Sequence, residues 1–316
     1  MNLAHRSADA LGRLDLPDVR IDEDGDDDAM RRISWFLIPV VAGAVILVVL
    51  PALLTLGLGF THYNALEAPR AAGLANFRRM WSDPLFWLAL RNSLIFAAIA
   101  VPLRLAMALG VGLLLAPARR GVGAARTAIA LPSFVPDIAY ALLWLWVFNP
   151  LYGPLAAILR SVGLPGTEWL LGPWGARMSI VIMSLFQVAE AFIVVVAVRN
   201  EIPGDLYEIA GLEGASSWQT FRRVTLPLLA PTLVLLAARD VAFSLQSTFV
   251  PALVLYDGGP FYATTFLPLY VYQNAFEYLR FGYAGAMTAV MFVVTAGMVG
   301  IQLLALRRWR GVLAQA

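Results

Sequence analysis

The chain has 316 residues, of which 60% are hydrophobic and 14% are charged, and its mean hydropathy is +0.73. Soluble globular proteins are about half apolar and about a quarter charged, so this composition excludes a water-soluble fold and predicts a protein of the lipid bilayer. The sequence has no cysteine and two histidines, which excludes disulfides and thiolate sites and argues against a histidine-based metal centre or triad. We therefore expect neither a metal nor a cofactor in this chain.

The first 30 residues form an acidic tail that differs from the rest of the chain. They contain nine acidic residues and three arginines, with a run of acids from Asp22 to Asp28 and no apolar periodicity. Such a segment is typical of a solvated, disordered tail, and a specific docking role is the alternative. It lacks the basic start and apolar core of a signal peptide, so we expect the first membrane span to be retained. The membrane domain is then residues 31–316.

Six segments of the membrane domain are long and apolar enough to cross a bilayer, which takes about 20 mostly apolar residues as a helix. In chain order, they lie near residues 35–58, 86–115, 127–148, 178–198, 224–253 and 283–306. The fold class that follows is an all-α integral membrane protein with six transmembrane helices.

Arginines predict the orientation of these spans, because short cytoplasmic loops are enriched in basic residues. With both termini inside, the cytoplasmic flanks contain Arg31, Arg32, Arg119, Arg120, Arg126, Arg199, Arg222, Arg223, Arg307, Arg308 and Arg310. The external segments contain fewer arginines, namely Arg70, Arg78, Arg79, Arg160, Arg177 and Arg280. We predict cytoplasmic N and C termini, with residues 59–85, 149–177 and 254–282 outside.

The cytoplasmic loop over residues 199–226 is the least apolar part of the membrane domain. Pro203-Gly204 predicts a turn, and Asp205 is the predicted N-cap of a helix beginning at Leu206. Gly214 is predicted to break this helix, and Ser216 or Ser217 to cap a second one. These signals predict two short helices at an angle, which we call the elbow. From the residues alone, the elbow is either an amphipathic loop on the lipid headgroups or a lever held by a soluble partner.

The elbow resembles the EAA loop of ABC-importer permeases, which has the pattern E-A-A-x-x-D-G-A followed by a later L-P. The matching residues are Glu208–Ala215 and Leu226-Pro227, with a lead-in at Ile202-Pro203 and Asp205–Glu208. Two positions depart from the pattern, Ile209 for the second alanine and Glu213 for the aspartate. The spacing is intact.

The predicted outer segments resemble, more narrowly, those of carbohydrate-uptake permeases of the maltose and glycerol-phosphate type. The matching residues are Gly73–Phe77, Asp83–Trp87, Asn92-Ser93, Leu131-Pro132, Trp144, Asn149, Gly153, Trp169-Leu170, Gly258–Pro260, Thr264-Thr265, Tyr272, Ala275-Phe276 and Gly282–Ala286. Tyr256 departs from this pattern, which has threonine there.

The resemblance implies a type I ABC importer permease that pairs with a second homologous permease, two ATP-binding subunits and an extracytoplasmic solute-binding protein. The N-terminal extension is similar to that of the first permease of a heterodimer. ATP and Mg would bind to the partner ATPase subunits, since this sequence has no P-loop, so we expect the chain not to be an enzyme. By position, the residues that couple it to the ATPase are Asp205, Tyr207, Glu208, Ala210, Glu213, Gly214 and Ala215.

Polar residues inside the predicted spans are the candidates for the solute pathway, because a charge at the bilayer centre costs about 2.5–3.5 kcal/mol and avoids lipid. The predicted pathway residues are Gln187, Glu190, Asp240, Ser244, Gln246, Ser247 and Phe249. Asp137 and Arg239 are also charged residues inside the predicted spans. The alternative is that Glu190, Arg239 and Asp240 form an ion-pair network that fastens helices. Arg104, near the inner end of the second span, is expected to extend to the lipid headgroups.

Other classes of function explain the sequence less well. A secondary transporter would also have charged residues in its spans, but it has no need of the elbow. An integral membrane enzyme would need a convergent acid–base or metal cluster, and only scattered carboxylates are available. An ABC permease for a non-sugar solute is the nearest alternative, although the Gly258–Pro260 and Gly282-Tyr283 signatures favour the sugar branch. The sequence does not specify which sugar or sugar derivative is transported.

Overall fold

The computed structural model describes residues 37–117 and 120–313, with side chains up to Leu306. The predicted acidic tail over residues 1–30 lies outside this part of the chain. Contacts divide the chain into two units, Met1–Leu54 and Thr55–Ala316. The described part of the first unit is helical, and the second unit contains the remaining elements.

The described elements are helices and one short ribbon of two antiparallel strands. In the ribbon, β1 (Thr61–His62) pairs with β2 (Arg70–Ala71), with Thr61 opposite Ala71. The helices, in chain order, are α1 (Leu37–Leu58), α2 (Ala75–Trp81), α3 (Pro84–Leu115), α4 (Val122–Ala130), α5 (Asp137–Val147), α6 (Pro154–Ser161), α7 (Pro173–Leu185), α8 (Ala189–Glu201), α9 (Asp205–Leu212), α10 (Ser217–Thr220), α11 (Leu226–Ser247), α12 (Phe249–Leu255), α13 (Leu267–Tyr272) and α14 (Phe281–Leu313).

Four stretches of helix are each long and apolar enough to span a membrane: Leu37–Leu58, Pro84–Leu115, Ser217–Leu255 and Phe281–Leu306. Two further pairs of helices qualify only as bent units, α4 with α5 and α7 with α8, with bends of 103° and 44°. The predicted all-helical membrane fold is confirmed. The count of six spans holds if each bent pair crosses once, and it stays a prediction.

The predicted third span, near residues 127–148, is sharply bent rather than straight. A 3₁₀ turn, Leu131–Phe134, follows α4, and Val135 then adopts an extended conformation with ψ 130° before Pro136. The proline ring disfavours a helical conformation in the preceding residue, so the helix restarts only at Asp137. The sequence contains the cause of this bend, although the bend itself was not predicted.

The second helix of the elbow continues into the fifth predicted span, which corrects the expectation of two short, separate helices. The Leu226 amide donates a hydrogen bond to the Phe221 carbonyl, five residues earlier, and this closes a π turn over Phe221–Thr225. The hydrogen-bonded backbone therefore passes from α10 to α11 without a break. The uninterrupted stretch runs over Ser217–Leu255, which is 39 residues.

Helix α3 lies at the centre of the second unit, where it packs against α7, α8 and α11. One apolar cluster contains Phe86 of α3 with Leu267 and Met287, and another contains Phe96 of α3 with Ile180. A Cβ atom added at Gly112 would lie 2.6 Å from Cγ1 of Val195. Only glycine permits α3 and α8 to approach so closely. Both helices also contribute residues to the polar cavity described below.

Candidate functional site

The first helix of the elbow, α9, begins at Asp205, one residue before the predicted start at Leu206. The Glu208 and Tyr207 amides both bond to the Gly204 carbonyl, at 3.1 and 2.9 Å, so Gly204 rather than Asp205 is the N-cap residue. Asp205 is instead the first helical residue and makes no cap hydrogen bond. Its carboxylate lies in the first turn, where the helix dipole favours negative charge.

The turn between the two helices of the elbow is fixed by Gly214, as the sequence predicted. Gly214 has φ +75°, and its amide bonds to the Gly211 carbonyl at 3.1 Å. The Ala215 amide bonds to the Ala210 carbonyl at 2.9 Å. These two bonds form a Schellman motif, which favours glycine in the left-handed position. No atom of the described chain lies within 4 Å of a Cβ built there, so the conformation alone favours glycine.

Ser216 caps the second helix of the elbow, which decides between the two predicted serines. Its hydroxyl accepts a hydrogen bond from the Gln219 amide at 3.3 Å, and the Gln219 side chain accepts one from the Ser216 amide at 2.7 Å. This reciprocal pair is a capping box, which satisfies amides that have no partner within the helix. Both helix ends at the turn are therefore defined by local hydrogen bonds.

Three of the predicted coupling residues, Tyr207, Ala210 and Ala215, face the rest of the chain. The Tyr207 hydroxyl lies 3.1 Å from Oγ1 of Thr225, and the Arg199 guanidinium lies 3.9 Å from the centre of the Tyr207 ring. Ala210 is buried, and Ala215 is half-buried. Because these residues face the protein, they position the elbow against the rest of the chain.

The remaining predicted coupling residues form an exposed, acidic and apolar surface on the elbow. Asp205, Glu208, Glu213 and Gly214 are exposed. Large apolar side chains lie beside them, and the most exposed is Leu212, at 89%, followed by Trp218 at 65% and Ile209 at 52%. The exposure of these three apolar side chains was not predicted from the sequence. Ala210 is the buried position of α9, so helical periodicity could have identified Ile209 and Leu212 as outward-facing.

A polar cavity of about 270 Å³ lies between helices of the second unit. Its lining includes three of the predicted pathway residues, Gln187, Glu190 and Asp240. The other lining residues are Arg104, Leu105, Ser133, Asp137, Val188, Ala191, Leu236, Arg239 and Phe243. The cavity thus draws side chains from α3, α5, α8, α11 and the two breaks within the bent pairs.

Two ion pairs lie in the lining of this cavity. The Arg104 Nε donates to Oδ2 of Asp240 at 3.0 Å, and its terminal nitrogen donates to the Ser244 hydroxyl. Arg239 pairs with Glu190, so the predicted ion-pair network exists, with Arg104 as an additional member. The expectation that Arg104 extends to the lipid headgroups is wrong. Its side chain is only 5% exposed, because Asp240 and Ser244 offer acceptors within the helix bundle.

The other predicted pathway residues lie elsewhere. Gln246 is exposed and Ser247 is half-buried, and neither lines the cavity. The Phe249 ring packs against the Tyr272 ring, with centroids 4.9 Å apart. Over the part of the chain with described side chains, no group of three or more His, Cys, Asp or Glu residues is arranged to hold a metal ion.

Comparison with known proteins identifies the family. Residues 108–311 match the model described as "Binding-protein-dependent transport system inner membrane component". The probable ABC transporter permease protein YesP of Bacillus subtilis is 33% identical over 264 residues, which cover 82% of this chain and 85% of the relative. The sulfoquinovosyl glycerol transport system permease protein SmoG of Agrobacterium fabrum is 30% identical and covers 74% of this chain and 76% of the relative.

A solved structure has the same fold. One chain of a bacterial alginate ABC transporter, crystallised with its alginate-pentasaccharide-bound periplasmic protein, aligns with a TM-score of 0.77 at 22% identity, covering 90% of this chain and 96% of that chain. The family model spans well over half of the present chain, and its relatives are permease subunits of ABC transporters. The chain therefore belongs to the family of inner membrane components of binding-protein-dependent transport systems.

Proposed function

We propose that this permease is driven by a separate ATP-hydrolysing subunit, which binds the elbow of α9 and α10. The observation that supports this most directly is the exposed surface around Glu208 and Leu212. An 89%-exposed leucine beside a carboxylate, on a turn that is fixed by its own hydrogen bonds, is suited to a protein partner. Charged groups at the rim and apolar side chains at the centre are the usual composition of such contacts.

The partners follow from the same assignment. Two ATP-binding subunits hold ATP and Mg, a second homologous permease completes the pathway, and an extracytoplasmic binding protein delivers the solute. Catalysis of ATP hydrolysis then belongs to the partner subunits. Movement of the elbow on ATP binding alternates the helices between two arrangements, which is coupling between two sites through a two-state element.

The proposed solute is a sugar or a sugar derivative. The name of the relative SmoG specifies such a solute, and the outer segments resemble those of carbohydrate-uptake permeases at Gly258–Pro260 and Gly282–Ala286. The cavity adds amide, hydroxyl and carboxylate groups from Gln187, Ser133 and Asp137. These groups can exchange hydrogen bonds with the hydroxyls of a sugar.

The proposed orientation places the elbow in the cytoplasm, with both termini on the same side. The excess of arginines on that side supports this orientation. A reporter fused after Gly214 should be cytoplasmic, and a reporter inserted within residues 155–172 should be external. The reverse pattern would refute the orientation and, with it, the position of the ATPase.

The test of the function is solute-stimulated ATP hydrolysis by the purified complex. The complete transporter is reconstituted with its binding protein, and hydrolysis is measured with a panel of sugars, polyols, amino acids and peptides. A carbohydrate should stimulate hydrolysis above the rate with the unloaded binding protein. Stimulation only by amino acids or peptides would refute the sugar assignment, and a complex without any ATPase subunit would refute the importer.

A further inference from the structure

We infer that the polar cavity accepts an uncharged, hydroxyl-rich solute and excludes anions, and that Asp137 determines this preference. The inference rests on the proposed function, because it requires the cavity to lie on the path of the solute. It narrows that function from sugars in general to sugars without a negative charge, unlike the sulfonated sugar derivative that the name of SmoG specifies.

The charges in the cavity lining are balanced except at one residue. Among the described residues, the lining includes two arginines and three acids. Arg104 is paired with Asp240, and Arg239 is paired with Glu190. Each arginine is balanced by the acid that it contacts, so the two pairs add no net charge to the lining. Asp137 is the remaining charge.

Asp137 lies at the start of a helix and at the wall of the cavity. It is the first residue of α5, its side chain is exposed, and it lines the cavity. Across the described part of the chain, no hydrogen-bond or salt-bridge partner to its carboxylate is present. The N-terminus of the helix stabilises a negative charge there. Among the described residues, this carboxylate is therefore unpaired, and it can accept hydrogen bonds and repel another anion.

The same lining also contains uncharged polar groups. The side chains of Gln187 and Ser133 both face the cavity. An amide and a hydroxyl each donate and accept hydrogen bonds, as do the hydroxyls of a polyol. The Asp137 carboxylate only accepts hydrogen bonds, whereas the Gln187 and Ser133 side chains both donate and accept them. Such a lining matches a solute whose hydroxyls can donate hydrogen bonds. A sulfonate, phosphate or carboxylate on the solute would meet Asp137 without a free cation.

The absence of cysteine from the sequence makes the electrostatic potential of the cavity directly measurable. Ser133→Cys introduces a single thiol into the lining. Its reaction rates with a cationic trimethylammonium and an anionic sulfonate methanethiosulfonate are measured in the assembled transporter in membranes. Each rate is divided by the rate of the same reagent with a free thiol. The unsubstituted chain, which has no thiol, gives the background labelling of this subunit.

The cationic reagent should react faster than the anionic one by at least about fivefold after this normalisation, as expected for one unscreened charge nearby. Asp137→Asn should remove most of this preference. Asp257→Asn, at an exposed loop residue outside the cavity lining, should leave it unchanged. A preference for the anionic reagent, or a preference that survives Asp137→Asn, would overturn the inference. Gln187→Cys offers a second thiol, and failure of both thiols to react would also overturn it.

The solute panel separates this inference from the proposed function. Stimulation of hydrolysis by a neutral disaccharide, but not by its carboxylated or phosphorylated counterpart, supports both. Stimulation by an anionic sugar leaves the sugar assignment intact and overturns the charge inference. Stimulation only by uncharged non-carbohydrates, with the expected thiol reactivities, supports the charge inference and refutes the sugar assignment. Stimulation by an amine would overturn the requirement for an uncharged solute.

Discussion

The guanidinium of Arg104 on α3 donates a hydrogen bond from Nε to Oδ2 of Asp240 on α11 across 3.0 Å. Their side chains are 5% and 13% exposed, and 136 residues separate them in the sequence. The pair joins two central helices at the wall of the polar cavity. A buried charge without its partner is costly, whereas an apolar pair of similar volume can be tolerated.

Removing one member of this pair should therefore destabilise the protein more than removing both. Arg104→Met and Asp240→Leu should each lower stability by about 3–5 kcal/mol, while the double variant should recover much of the loss. Thermal unfolding of the purified permease complex measures this. Arg70→Ala is the matched control, because Arg70 forms an exposed pair with Glu67 at 3.2 Å and should change stability by less than about 1 kcal/mol. Equal effects for the single and double variants would contradict the pairing.

Gly214 should be sensitive to the conformation of its substitute rather than to its size. A β-carbon at φ +75° costs about 1–2 kcal/mol, but asparagine adopts this region more readily than other residues. Gly214→Ala should therefore weaken ATPase coupling more than Gly214→Asn. Gly211→Ala, in the adjacent helix, should be neutral, because no atom lies within 4 Å of a Cβ added there. Substrate-stimulated hydrolysis is the measurement.

If Gly214→Asn and Gly214→Ala were equally uncoupled, the partner subunit would have to approach this glycine closely. That outcome would replace the conformational explanation with a steric one. Retention of the ATPase by each variant must be measured first, so that loss of binding is distinguished from loss of coupling.

The elbow was predictable because its determinants are local. A Pro-Gly turn, a glycine and a capping serine act through hydrogen bonds over three to five residues, so the sequence specifies them directly. The errors at the elbow, one residue at Asp205 and the continuity of α10 with α11, also concern local hydrogen bonds. Continuity depends on the π turn at Phe221–Thr225, for which the residues give no recognisable signal.

The cavity was only partly predictable because it depends on which helices face one another. The sequence identifies Asp240 as a polar residue in an apolar span, but not Arg104 as its partner. Helical periodicity would have separated the predicted pathway residues on α11 into those that share a face with Asp240 and those that do not. Asp240 and Ser244 are four residues apart and share a face, whereas Gln246 is rotated by about 240° from Asp240. The structure accordingly places Ser244 on Arg104 and Gln246 away from the cavity.

Asp83 should make the stability of the predicted outer end of the helix bundle dependent on pH. Its carboxylate accepts hydrogen bonds from the Tyr270 and Tyr283 hydroxyls, each at 2.6 Å, and from the Leu85 amide at 2.9 Å. Burial acts to raise the pKa of Asp83, but the bonds from Tyr270, Tyr283 and the backbone outweigh it and hold this pKa below its usual value. The carboxylate is therefore favoured in the folded state.

A lowered folded-state pKa contributes stability above the unfolded-state pKa, about 4 for aspartate, and loses it as the pH falls through the folded-state value. The difference in Tm between the natural protein and Asp83→Asn should be constant from about pH 7 to 5 and should shrink below about pH 4. Asp257→Asn controls for loss of a charge in a predicted outer loop. A difference that grows on acidification would contradict the assigned direction of the shift.

Glu208 should be required for binding of the ATPase subunit although it contributes little to the permease itself. Its side chain is exposed on α9, between Tyr207, which holds the helix in place, and the exposed Leu212. Removing one member of a charged contact at a desolvated interface costs about 2–5 kcal/mol. Since each 1.4 kcal/mol is a factor of ten, Glu208→Ala should weaken binding by about 30-fold or more.

The measurement is co-purification of the ATPase subunits with Glu208→Ala, together with substrate-stimulated hydrolysis and the Tm of the permease. Glu277→Ala is the matched control, because Glu277 is also exposed but lies in a predicted external segment. The control should keep the ATPase. Leu212→Ala should weaken binding through loss of apolar contact, without the salt dependence expected of Glu208. If Glu208→Ala and Leu212→Ala both retained the ATPase with normal stimulated turnover, the elbow would be a surface loop, and the ATPase would have to bind elsewhere on the cytoplasmic face.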